Sequence, residues 1–160
     1  MARRIARIGI QKIIGTIARI VIARFQPAVV GVTGSVGKTS TTAAISHLLA
    51  KRYSVRSTRG NLNTQFGLPL TIFKDWKEEE LAPLRDRLQA GKHLGRKLLF
   101  WLKAIGEGIR AAAGKEKNFA PEVLVLEYAA DHPGDIARLT SVVAPDVAVV
   151  TAIGEVPVHV

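Results

Sequence analysis

The segment Gly31-Val32-Thr33-Gly34-Ser35-Val36-Gly37-Lys38-Thr39-Ser40 gathers three glycines, a lysine and several hydroxyls into ten residues. Side chains of these types at this spacing suit the binding of phosphate. Glycines let the backbone turn tightly, so that successive N–H groups point into one concavity. A helix starting just behind the loop adds partial positive charge. On this reading Gly34, Ser35, Val36, Gly37, Lys38, Thr39 and Ser40 hold the phosphates of ATP. Lys38 reaches the β- and γ-phosphates as a mobile cation, and the Thr39 hydroxyl is placed to ligate Mg²⁺. The general pattern G-x-x-x-x-G-K-[ST] asks for glycine at position 32, where this chain has Val32. Its glycines stand instead at 31, 34 and 37.

A second group with chemical promise is Glu127, which directly follows the four aliphatics Val123–Leu126. That run is the cleanest strand signal in the chain. A carboxylate at the C-terminal end of a parallel strand lies where such sheets gather their ligands, so Glu127 is the candidate metal acid. Asp131 and Asp135 compete for the role, although Asp135 also reads as a first-turn helix acid favoured by the dipole.

The elements that must position these groups follow from periodicity. Ala28–Val32 reads as a buried strand entering the glycine turn, and Thr39 to about Arg52 as a helix with Ala43, Ala44, Ile45, Leu48 and Leu49 on its apolar side. Tyr53–Thr58 suits a second strand, and the Gly- and Asn-rich stretch Arg59–Gly67 a loop. Lys74–Asn118 holds the charge cluster Lys77–Glu80 and then an amphipathic helix. On that helix Leu94, Leu98, Trp101, Leu102, Ile105, Ile109 and Ala112 share a face, which predicts an insertion packed on the domain or resting on a membrane. Pro133–Val142 reads as a short helix, and Val147–Thr151 as another buried strand. Strands alternating with helices imply an α/β fold, a parallel sheet of phosphate-loop type flanked by helices.

Bulk composition narrows the class. The 160 residues are 48% hydrophobic and 22% charged, as in one ordinary globular domain. With no cysteine, disulfides and thiolate metal sites are excluded, which suits a reducing cytoplasm. The net charge of +10 is concentrated before Pro27, where six cations stand with no acid. There Ile10, Ile13, Ile14, Ile17, Ile20 and Val21 form an apolar helical stripe with Gln11, Lys12 and Arg19 opposite. No run of about 18 uncharged residues stands here, so a bilayer-spanning helix is not expected, and Lys12 and Arg19, with no small-residue cleavage site after them, argue against a signal peptide. The stripe is expected to pack on the rest of the protein, with an anionic membrane surface as the alternative. Nucleic acid is excluded as a partner, because the cations interleave with isoleucine rather than with stacking aromatics.

The spacing Gly31-x-x-Gly34-x-x-Gly37-Lys38-Thr39 resembles the ATP loop of the Mur ligases, ATP-dependent amide-forming enzymes of peptidoglycan precursor synthesis. Three further segments resemble the branch that adds D-alanyl-D-alanine. They are Asn61–Thr71, Glu127–Ile136, and Ala144–Thr151 followed by Ile153-Gly154 and His159. The likeness covers about 29–67 and 123–159. Gln65 stands where that branch often has glutamate, Tyr128 where it often has methionine, and Ala152 where asparagine is common.

Periodicity gives a basic amphipathic helix over 1–26 and a helical insertion at about 74–119, and the resemblance makes 27–160 part of a central ATP-binding domain. It also implies that the chain is truncated, lacking the C-terminal part of the ligase. By resemblance ATP phosphorylates a carboxylate of a UDP-muramoyl peptide-like substrate, and an amine attacks the acyl phosphate. Lys38 and Glu127 would then be catalytic, His159 a further metal ligand beside Thr39 and Glu127, and Asn63 and Gln65 contacts near phosphate or substrate. The place implied is the cytoplasm, with a peripheral position at the inner face of the membrane, reached through the amphipathic helices, as the alternative. A nucleotide-binding module that does not ligate, and a relative making folyl-polyglutamate, are the competing readings.

Overall fold

The computed structural model describes residues 2–85, 94–114 and 121–154. Ten elements follow one another: α1 (Ala2–Phe25), β1 (Ala28–Thr33), α2 (Lys38–Leu49), β2 (Val55–Ser57), α3 (Gly67–Phe73), α4 (Glu78–Arg85), α5 (Leu94–Ala113), β3 (Val123–Glu127), α6 (Asp135–Thr140) and β4 (Val147–Val150). The strands form one parallel sheet in the order β2-β3-β1-β4. This is the α/β arrangement that alternating aliphatic runs and helices require.

The sheet separates two apolar layers. On one face Val32, Val123 and Val125 pack with Ile45 and Leu49 of α2. On the other, Val29, Leu124 and Leu126 meet Ile14, Ala18 and Val21 of α1, Leu68, Ile72 and Phe73 of α3, and Ala111 of α5. Helix α1 therefore packs inward on the domain, as an ordinary amphipathic helix does. It ends at Gln26, whose positive φ of 48° closes the last turn before Pro27. A third apolar group, Leu70, Trp76, Leu81, Phe100 and Ala104, joins α4 and α5 to α3.

Helix α3 begins at Gly67, where the stretch read as loop ends, and all seven of its residues are buried. With every side buried it has no exposed polar face to reveal a period. Three expectations need correction. Strand β4 is not buried: Val147 and Val150 are each 56% exposed, because β4 is the sheet edge and pairs only with β1. On α2 the apolar side is narrower than the sequence suggests, since Ala43, Ala44 and Leu48 face solvent. On α1, Ile13 and Ile20 of the expected stripe lie outside the core and are about half exposed. Among the described residues no helix is long and apolar enough to cross a membrane.

Candidate functional site

The glycine loop leaves the C-terminal end of β1 and closes on the first turn of α2. Gly34 has φ 138° and Gly37, the residue before α2, has φ 82°, conformations that favour glycine. A Cβ at Gly34 would collide with the Thr151 hydroxyl and the Ala152 backbone. That close approach is one side of a clasp between the loop and the end of β4. Thr151 donates from its hydroxyl to the Val36 carbonyl at 2.6 Å. The Ser35 N–H donates to the Ala152 carbonyl at 2.8 Å, and the Gly154 N–H returns to Ser35 Oγ at 3.0 Å.

Lys38 folds back over the loop, its ammonium donating to the Gly34 carbonyl at 2.6 Å. The cation thus rests on the carbonyl of Gly34, a partner that an incoming anion can replace. Ser40 is exposed on the first turn of α2, and Val36 projects from the loop at 61% exposure.

Glu127 ends β3 beside β1, where the register pairs it with Val32. The Thr39 hydroxyl donates to Glu127 Oε2 at 3.0 Å, and Asn63 Nδ2 donates to Oε1 at 3.0 Å. The Glu127 N–H donates to Thr58 Oγ1, and the Ala129 N–H to the Asn63 carbonyl. The Asn61–Asn63 turn is therefore tied to the end of β3 from both its side chain and its backbone. Tyr128 points into the core, its hydroxyl donating to the Val143 carbonyl at 2.8 Å, and burial pushes the phenol pKa up.

Glu127 is only 4% exposed, and no cation pairs with it among the described residues. A buried carboxylate without a counter-charge is costly, so the arrangement fits a metal ion. Among the described residues no group of three or more His, Asp or Glu could hold a metal. A carboxylate and a hydroxyl alone suit Mg²⁺, which keeps waters and takes phosphate oxygens as its remaining ligands.

The loop, Thr39, Glu127 and Asn63 thus come together. Gln65 does not join them. It lines a cleft of about 530 Å³ between α1 and α6, beside Arg7, Asp131, His132 and Arg138. Asp135 is engaged locally, its carboxylate accepting from the His132 N–H at 2.8 Å and from Arg138 at 2.6 Å, which holds its pKa down. His159 lies outside the described residues. Sequence reasoning missed Thr151 and Thr58. Each is a hydroxyl acting across the sheet, and only the -Val-Thr- ending shared by β1 and β4 hints at Thr151.

Residues 32–82 match the Mur ligase middle domain. The chain is 44% identical over 62 residues to UDP-N-acetylmuramoyl-tripeptide–D-alanyl-D-alanine ligase of Bacillus subtilis, covering 39% of this chain and 14% of that protein. It is 37% identical over 71 residues to the Borreliella burgdorferi ligase of the same name, covering 44% and 15%. Among solved structures, MurF ligase from Thermotoga maritima, in complex with ADP, superposes with a TM-score of 0.57 at 31% identity, over 90% of this chain and 24% of that one. An Acinetobacter baumannii ligase at 23% identity shares the fold, with a TM-score of 0.56. The chain is similar to the middle domain of Mur ligases, those adding D-alanyl-D-alanine among them. It spans about a seventh of the length of the curated relatives it matches.

Proposed function

We infer that this chain binds ATP with Mg²⁺ and serves an ATP-dependent ligase that forms an amide bond on a peptidoglycan precursor. The reaction is D-alanyl-D-alanine addition to a UDP-muramoyl peptide through an acyl phosphate. The observation that carries this reading is the buried Glu127 carboxylate bonded to Thr39 at the mouth of the glycine loop. The matched ligases and the neighbour solved with ADP support it.

In this reading the loop N–H groups from Gly34 to Ser40 orient the phosphates, and Lys38 leaves the Gly34 carbonyl to offset charge on the outer phosphates. Thr39 and Glu127 hold Mg²⁺, which supplies charge neutralisation on the phosphate oxygens when bound. Asn63 fixes the rotamer of Glu127. His159 would add a further ligand, and Gln65 would meet the acceptor in the α1–α6 cleft rather than the nucleotide. The setting is the cytoplasm, peripheral at the inner face of the membrane, and the remaining domains of the ligase would bring acceptor and amine.

The test is Mg²⁺-dependent ATP binding by the chain beside Lys38→Ala. Binding that needs both the metal and the lysine supports the reading, and no binding by a folded chain removes it. Binding without amide formation by the full coding sequence would leave a nucleotide-binding module.

A further inference from the structure

Helices α1 and α5 run side by side in the same direction. Ile17 of α1 abuts Gly108 of α5, and Arg24 donates to the Ala112 carbonyl at 2.9 Å. The amphipathic face of α5 is rotated so that only part of it reaches this seam. Trp101, Ile105 and Ala112 pack inward, whereas Leu98, Leu102 and Ile109 are 58%, 58% and 55% exposed. On the opposite bank Ile13 and Ile20 of α1, adjoining Ile17 at helical spacing, are 48% and 50% exposed. Leu99, at 67%, extends the strip outward on α5. Single exposed aliphatics are ordinary, but six along one seam make a contiguous apolar face.

The charge on the same two helices is one-sided. α1 carries six Arg or Lys and no acid, while α5 carries four and a single carboxylate, Glu107. That carboxylate is turned inward, its side chain 16% exposed and paired to Lys74 and Arg110. Lys12, Arg19, Arg24, Arg96, Lys103 and Arg110 are exposed on the two helices that bear the apolar strip, a pairing that suits a surface with anionic heads over hydrocarbon. A second copy of the chain fits poorly, because a two-fold contact would set these cations against their equivalents.

We propose that the face shared by α1 and α5 docks on an anionic lipid surface through Ile13, Ile20, Leu98, Leu102 and Ile109, with the helices lying in the interface. The sequence offers a membrane as an alternative for each helix separately; the structure buries the main stripe of α1 and joins the exposed remainder of both helices in one face. The surface is composite, and α5 supplies most of its apolar side chains. The proposal does not depend on ATP binding or on ligation.

The experiment is co-sedimentation of the chain with vesicles of phosphatidylcholine alone or mixed with phosphatidylglycerol. The double variant Leu102→Glu/Ile109→Glu is run beside Leu48→Glu, which alters an exposed leucine of α2 on the far side of the sheet. Wild type and Leu48→Glu bind the mixed vesicles. The double variant binds at least about tenfold more weakly, as does wild type in about 0.5 M salt. Circular dichroism and melting show all three folded. No binding, binding indifferent to lipid charge, or an unchanged double variant overturns the proposal. So does a dimer in light scattering that the double variant abolishes without any vesicle binding, which would give the face to a second copy.

Discussion

The Thr39 hydroxyl donates to Glu127 at 3.0 Å, joining the first turn of α2 to the end of β3 across 88 residues of sequence. Because the carboxylate is buried and, among the described residues, has no cationic partner, its charge serves a ligand better than it serves the fold.

Glu127→Gln keeps the volume and an acceptor for Thr39 or Asn63 while removing the charge. Mg²⁺-dependent ATP affinity is expected to fall at least about tenfold, close to 1.4 kcal/mol. The melting temperature stays level or rises, since an uncompensated buried charge is gone. Calorimetric titration at several Mg²⁺ concentrations checks this, and an unaltered metal dependence would remove Glu127 from the site.

Lys38→Ala loses the one cation inside the loop. Nucleotide affinity should drop on the order of 100-fold, about 2–3 kcal/mol for charge-assisted contacts to phosphate. Stability changes by about 1 kcal/mol or less, because the lysine's partner in the free chain is a carbonyl that water can satisfy. A variant that binds as wild type would mean that the loop holds no phosphate.

Gly34→Ala tests the clasp. The added methyl meets Thr151 and Ala152 in a conformation that disfavours side chains, so a destabilisation of about 1–3 kcal/mol is expected. Thr151→Val, which removes only the hydroxyl, should cost about 1 kcal/mol and weaken ATP binding several-fold. Urea unfolding and nucleotide titration of both variants separate fold from loop shape, and equal ATP affinity in Thr151→Val would show that the clasp does not set the loop.

Acid should loosen the helical layer at one carboxylate. Glu80 accepts from Lys103 and from Lys74, each at 2.8 Å, and these bonds hold its pKa down to about 2. A depressed carboxylate stabilises the fold above its unfolded pKa, near 4.5, and loses that contribution as pH falls toward about 2. Glu80→Gln should therefore melt below wild type at pH 6, with the gap closing between pH 4.5 and 2. A gap independent of pH would assign the effect to packing.

Much of the glycine loop was legible in sequence because its signals are local. Glycine spacing, Lys38-Thr39 and the aliphatic run of β1 all sit within a dozen residues, and Val123–Glu127 announces itself by four consecutive aliphatics. What escaped depends on distant neighbours. Nothing near Gly67–Phe73 says that three layers will close over it. The exposure of Val147 and Val150 follows from the place of β4 in the strand order, which no run of valines encodes. Asn63 and Gln65 look alike in an Asn-rich loop, yet one reaches Glu127 and the other a separate cleft, because the turn into α3 points them apart. Amphipathicity revealed that α5 has an apolar face, but not that α1 would cover only part of it.

The strand order also bears on how the chain is made. β1 lies between β3 and β4, and the Val29 N–H donates to Asp146, 117 positions later. At bacterial-like synthesis rates of roughly 5–20 residues per second, the glycine loop leaves the ribosome some 5–20 s before both of its flanking strands exist. During that interval a valine-rich strand has no sheet to join. The loop can take its clasped shape only after translation has passed Thr151.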